Sequence, residues 1–334
     1  MKDNDKRNYT LLQIDLRMFD NTNVTTDSGL SDEMKTYYSD YLIDNALPEL
    51  VHDQFGQKQN IPQNGGKIIE FRKYAPLTKA LTPLTEGVTP EGKKLSVSVI
   101  TAQVKQYGDY VELSDVLLLT AIDNNLVQAT QLLGAQAGQT LDTITREVLN
   151  GGTNVQFAEG QVNARNQLTG EHKLTVKACK LAARYLKTQN AKKIDGSWVA
   201  IIHPDCSYDL MEDPEWKYPH QYVDTEHIYE GEIGKVAGIR FVETTEAKKF
   251  TGSGADSRDV YSTLVLGANA YGVTEVEGGG LQHIVKQLGS AGTGDPLNQR
   301  ATCGWKAIKT AERLVEQYMV RIETASTFND GVEN

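Results

Sequence analysis

The sequence predicts an α+β fold whose single subunit is incomplete. Two strand patterns, KIIEFRKY (67–74) and LSVSVITAQVKQYGDYVEL (95–113), flank a Pro- and Gly-bearing connection and read as one long hairpin. A long helical pattern follows, and the stretch from about 173 to 280 then alternates helix with strand. Such an order of segments places helices against sheets in a mixed connection.

Taken in order, residues 1–30 are rich in Asn, Asp and Thr without periodicity, and read as an extended arm. Ser31 suits a helix N-cap with Asp32 and Glu33 in the first turn. Met34, Tyr37, Tyr38, Tyr41, Leu42, Leu47, Leu50 and Val51 continue at helical spacing, and Pro48 should kink that helix. The hairpin comes next. In its second strand Leu95, Val97 and Val99 alternate before the phase moves to Ile100, Ala102 and Val104, which predicts a bulge or a change of buried face. Its tip, with prolines at 76, 83 and 90 and glycines at 87 and 92, reads as extended and polar.

Length constrains this hairpin. About 18 strand residues at ~3.3 Å each would reach roughly 60 Å unbroken. A compact chain of this size is only about 50 Å across. The hairpin must bend sharply or project, and a projecting two-stranded ribbon needs something to lie on.

Ser114 and Asp115 mark a helix start. From about 121 to 150, Leu126, Thr130, Leu133, Ala137, Leu141, Ile144 and Val148 form one apolar stripe that Asn150-Gly151-Gly152 should end. LTVKACKLAARYLKTQ reads as a helix, WVAIIHP as a buried strand, and DCSYDLMED as a short helix opened by Asp205. KVAGIRFVET and VYSTLVLGANAYGVTEVE read as strands. WKAIKTAERLVEQYMVRIETAS closes the chain with strand-like ends.

Composition narrows the function. With 334 residues, 39% hydrophobic and 23% charged, the chain can build a core, and no apolar run is long enough to span a bilayer. The polar start MKDNDKRNYT has no signal-peptide pattern, so a cytoplasmic site of synthesis is expected. Lys and Arg number 34 against 44 acids, a net charge of −10, which disfavours a dedicated duplex-binding protein. Cys179, Cys206 and Cys303 are odd in number and far apart, and read as reduced thiols.

Catalytic signals fail one by one. The loop LGSAGTGDPLNQR holds Gly289, Gly292 and Gly294, but Asp295-Pro296 stands where a phosphate loop needs Lys followed by Ser or Thr. His203, Cys206 and His220 have near-ligand spacing, yet no second close pair completes a tetrahedral metal set, and nothing in the sequence places a base on Cys206. Asp213 with Glu215, and Glu243 with Glu246, are the chance pairs an acidic chain carries. No cofactor, metal or catalytic residue is expected, so the chain is not read as an enzyme.

This order of segments resembles the major capsid proteins of tailed bacteriophages, with their HK97-type fold. LTEGVTPEGKKLSVSVITAQVKQYGDYVELSD (84–115), TREVLNGGTN (145–154), GEIGKVAGIRFVETTEA (231–247) and DPLNQRATCGWKAIKTAERL (295–314) look like the family typified by the phage N4 major capsid protein. The resemblance implies an N-terminal arm and helix at 1–58 and an extended loop at 59–113 lying over a neighbouring subunit. It further implies a peripheral domain at 114–175 and 281–334 built on a spine helix, and an axial domain at 176–280. Lys79, Glu86, Glu91, Lys93 and Lys94 near the hairpin tip are the expected intersubunit contacts. Gly292, Gly294, Asp295 and Pro296 are the expected hinge or contact loop.

The implied function is a subunit of an icosahedral phage head, self-assembling into hexamers and pentamers around double-stranded DNA in the host cytoplasm and residing in the virion capsid. Its expected partners are further copies of itself, a portal protein, scaffold or decoration proteins, and DNA held without sequence specificity; no membrane is expected. Thirty residues before the first helix are too few for a cleaved scaffolding segment, so a separate scaffold or none is expected. Two alternatives stay open: an encapsulin-like nanocompartment shell, and a cytosolic enzyme using the Gly289–Gly294 loop or the His203/Cys206 region.

Overall fold

A computed structural model describes residues 50–62, 66–74, 77–84, 86–89, 91–120, 125–216, 234–275 and 279–332. The expected arm and kinked helix lie outside them, apart from Leu50 and Val51, which are not helical. The strands are β1 (Gln57–Lys58), β2 (Ile68–Tyr74), β3 (Val97–Gln103), β4 (Lys105–Ser114) and β5 (Val155–Phe157). They continue with β6 (Trp198–Ile202), β7 (Lys235–Val236), β8 (Ile239–Glu243), β9 (Lys249–Phe250) and β10 (Val260–Leu266), then β11 (Tyr271–Glu275), β12 (Gln282–Lys286), β13 (Arg300–Arg313) and β14 (Met319–Thr324). The helices are α1 (Asp115–Thr120), α2 (Asn125–Asn150), α3 (Val176–Thr188) and α4 (Pro204–Glu212).

The helix ends have legible causes. Ser114 Oγ accepts from Leu117 N and opens α1. Thr175 Oγ1 accepts from Ala178 N and caps α3. The cap of α4 is His203, whose Nδ1 accepts from Asp205 N at 3.2 Å. Asp205 is the cap expected from the sequence; Pro204 suits the first helical position, which moves the cap back to His203.

Two sheets organise the chain. In the five-stranded sheet, β13 pairs with β4 on one side and with β12 and β11 on the other, and β1 runs parallel to β11. Ala301, Cys303, Trp305 and Ala307 of β13 are buried, and the last three pack with Leu133, Ala137 and Leu141 of α2. The seven-stranded sheet runs β5-β14-β10-β6-β8-β7, with β9 also on β10. Its strands β6 and β10 are buried throughout, because α3 and α4 cover one face while the end of α2 and residues around Val51 cover the other. Strand pairing crosses the boundaries implied by the family resemblance. β11, within 176–280, belongs to the five-stranded sheet, whereas β5 and β14, outside that range, belong to the seven-stranded one.

The apolar stripe expected along α2 holds only in its first half. Ile144 and Val148 are half-buried, while Asp142, Thr145, Arg146 and Asn150 turn inward. The reason is a polar seam where the two sheets meet. Asp142 accepts from His52 N at 2.7 Å and lies 2.6 Å from His52 Nδ1. Thr145 Oγ1 donates to Asp53, which also receives Lys309 Nζ, and Lys309 donates to Leu141 O as well. Arg146 donates to Glu246 O, and Asn150 accepts from Ser262 of β10. Each inward polar group has a partner from another element, which makes its burial tolerable.

Candidate assembly surface: the projecting hairpin

The segment 95–113, expected as one strand, is two. β3 pairs with β2 as an isolated two-stranded ribbon, whereas β4 pairs with β13 ten residues deep in the five-stranded sheet. The break falls at Val104, whose N–H donates to Lys67 O. Period-2 alternation marks each strand but carries no record of its partner, so the change of sheet surfaces in the sequence only as a change of phase. The ribbon that leaves the body therefore has seven paired residues per strand, not the full span expected.

Its root is docked. Ile69 and Phe71 of β2 and Ala102 of β3 are buried together with Ile61 and against Leu314. Phe71 lies so close to β11 that a Cβ on Gly272 would stand 2.6 Å from its ring. Beyond the root the picture reverses, and every described residue from 77 to 99 is exposed. Among them are Leu77, Leu81, Leu84, Val88, Leu95, Val97 and Val99; Leu81 is 82% exposed and Leu84 77%. The tip is therefore less polar than its sequence suggests. Leu77, Leu81, Leu84 and Val88 are spaced by three and four, but Pro83 among them keeps that spacing from reading as a helix.

The predicted contact residues Lys79, Glu86, Glu91, Lys93 and Lys94 all sit on this exposed tip. Lys93 is already engaged within it, donating to Thr78 Oγ1 at 2.7 Å and to Thr78 O.

The glycine loop connects β12 to β13, two antiparallel neighbours in one sheet. Gly292–Gly294 forms a single 3-10 turn, and Gly289 and Gly292 take positive φ. Asp295 is buried and accepts from Arg300 N at 2.8 Å, while Arg300 also donates to Gly294 O and pairs with Glu112. This carboxylate is consumed in closing the loop. Leu297 beyond it is 74% exposed.

The remaining candidates do not assemble into a reactive site. His220 lies outside the described residues. Cys206 is fully buried with its Sγ 3.8 Å from Thr324 Oγ1, and burial raises its thiol far above the ordinary range. His203 packs 5.0 Å from the Tyr261 ring, and burial is the main cause of its lowered pKa. Asp213 caps α3 from outside by accepting from Val176 N, and it also accepts from Glu215 N. A Cys/His contact that the sequence does not suggest joins Cys303 Sγ to His283 Nε2 at 3.1 Å. The residues are twenty positions apart and meet because β12 and β13 pair. Burial raises the thiol and lowers the imidazole, and both shifts favour the neutral forms over a thiolate–imidazolium pair.

A sequence profile of the phage capsid protein family matches residues 121–288, half of the chain. The chain belongs to the phage capsid protein family. Solved structures agree on its fold. The capsid protein of cyanophage P-SCSP1u superposes with a TM-score of 0.65 at 15% identity, over 83% of this chain and 89% of that one. The capsid protein of Ralstonia phage GP4 gives 0.67 at 14%, over 85% and 90%. That of cyanophage Pam1 gives 0.66 at 14%, over 85% and 93%. No curated protein sequence matches the chain significantly. This phage capsid protein thus has the HK97-type fold, and it is the major capsid protein of a phage head, located in the virion. The matches do not extend to the narrower likeness with the phage N4 protein, and none favours the compartment-shell alternative over the phage head.

Proposed function

We propose that this capsid protein closes its shell by laying the tip of the β2–β3 hairpin across an adjacent copy, and so assembles into hexamers and pentamers. One observation carries the reading: a tip with no core of its own holds Leu77, Leu81, Leu84, Val88 and Leu95 in solvent, on a ribbon whose root is firmly seated. Several large apolar side chains held in solvent on one short projecting segment mark an interaction site. A contact that joins unlike surfaces and repeats by rotation closes into rings. Lys79, Glu86, Glu91 and Lys94 then pair with charges next door, each worth about 0–1 kcal/mol when exposed, so apolar burial supplies most of the strength.

In this reading the arm is 1–58, the extended loop 59–113 with its β4 end seated in the five-stranded sheet, the peripheral domain 114–175 with 281–334, and the axial domain 176–280, whose β11 reaches into the five-stranded sheet. Of the two roles open to Gly292, Gly294, Asp295 and Pro296, contact is favoured over hinge, since Asp295 fixes the loop to Arg300 and leaves Leu297 to face a neighbour. Assembly takes place in the host cytoplasm with a portal protein and any separate scaffold or decoration protein, around DNA bound without sequence preference. The subunit has no catalytic role; the raised thiols of Cys206 and Cys303 support this.

Deleting residues 76–93 and joining β2 to β3 by a short turn tests the reading. The variant should stay soluble and folded by circular dichroism yet form no closed shells by electron microscopy. Normal particles from this variant would remove the bridging role.

A further inference from the structure

Residues 173–193 hold seven Lys or Arg and no Asp or Glu, in a chain of net charge −10. The centre of this run is α3, whose buried side is Val176, Ala178, Cys179, Ala182, Ala183 and Leu186. Its outer side therefore carries Lys177, Lys180, Arg184 and Lys187, spaced by three and four along one stripe of roughly 15 Å.

The stripe is not uniformly available. Lys177 is matched by Glu159 and Lys180 by Glu215, both at 2.6 Å. Arg184, Lys187, Lys192 and Lys193 have no carboxylate partner among the described residues. Lys187 and Lys193 instead share one aromatic ring, their ammonium groups lying 5.8 and 5.0 Å from the Trp198 indole. Lys235 of β7, the strand that packs beside α3, adds another exposed cation. The negative end of the α3 dipole accounts for cations in its last turn. It does not account for Lys192 and Lys193, which lie past the helix end, nor for two ammonium groups gathered on one ring.

We propose that this stripe binds the phosphate backbone of the enclosed DNA, and that the outer face of α3 therefore lines the interior of the shell. The inference rests on the shell-subunit reading. A row of exposed cations, of which Arg184, Lys187, Lys192 and Lys193 have no carboxylate partner among the described residues, fits an extended polyanion, and repetition in every subunit makes weak individual contacts additive. The contacts proposed are to phosphates, which position a duplex without carrying sequence information.

The test uses the full chain in its unassembled soluble form and a short fluorescent duplex, with anisotropy followed through a salt titration. The triple variant R184Q/K187Q/K193Q keeps most of the side-chain length and removes three charges. The wild-type slope of log affinity against log salt should fall by about 3 in the variant, at roughly 0.9 for each phosphate no longer neutralised. Variant shells should still form by electron microscopy. No duplex binding by the wild type at low salt, or an unchanged slope, overturns the proposal while intact shells leave the subunit reading standing. A folded variant that no longer forms shells also overturns it, and assigns the stripe to a contact between copies.

Discussion

Gly272 shows how much a single hydrogen atom decides. It sits in β11 beneath the hairpin root, where any Cβ would lie 2.6 Å from the Phe71 ring. Gly272→Ala should shift Phe71 and loosen the root, costing about 1–3 kcal/mol, seen as a lower unfolding midpoint in urea. Gly108 is tighter in kind: its Cβ would meet the Trp305 carbonyl oxygen at 2.5 Å, and backbone in a paired strand does not rotate away. Gly108→Ala should therefore cost more than Gly272→Ala in the same titration. The cysteines give a pH-dependent case. All three are buried; Cys179 is pushed up to about 12 by burial, with the Asp213 charge adding to it. Its folded pKa lies above the unfolded value, so its contribution is whole below pH ~8.5 and is lost as pH rises from there toward 12. Alkylation at pH 8 should leave native thiols unlabelled and modify all three in denaturant. Replacing all three with Ser or Ala should lower stability without abolishing shells; loss of particles on replacement would give the thiols a role in assembly.

Secondary-structure elements here are set as much by their partners as by their own sequences. The residues of 95–113 read as strand from end to end, yet β3 and β4 belong to different sheets and separate at Val104. Helix α2 divides in the same way, with an apolar half on β13 and a polar half at the seam between sheets. That seam makes a strong prediction. Lys309 is 2% exposed and Asp53 13%, so Lys309→Met strands a carboxylate in the interior and should cost about 3–5 kcal/mol. The double variant Lys309→Met with Asp53→Leu removes both charges and should recover most of that loss in denaturant unfolding. If it recovers none, the pair acts through packing and not through charge.

For the whole molecule, the question is what a lone subunit leaves unfinished. The two sheets and α2, α3 and α4 bury their own cores, so the isolated chain should fold, while the exposed apolar tip should limit its solubility as a monomer. Replacing Leu81 and Leu84 by Ser should raise the monomer's solubility and reduce shell yield, read by sedimentation as a shift from large particles to single subunits. Normal yields from this variant would show that the tip's apolar surface is not what joins the copies.

From sequence alone one reads the α+β class, the cap at Ser114, the stop at Asn150-Gly151 and the hairpin. Each of these is written in short-range pattern, as period or cap chemistry. Tertiary structure alone decided where the second hairpin strand changes sheet, that polar residues line the inner side of α2 near Asp142, that Lys93 turns back on Thr78, and that Cys303 meets His283. It also decided that Leu81 and Leu84 stand in solvent. Those outcomes depend on which distant segment arrives as neighbour, and burial of a leucine or pairing of a lysine is a property of that encounter, not of the residue.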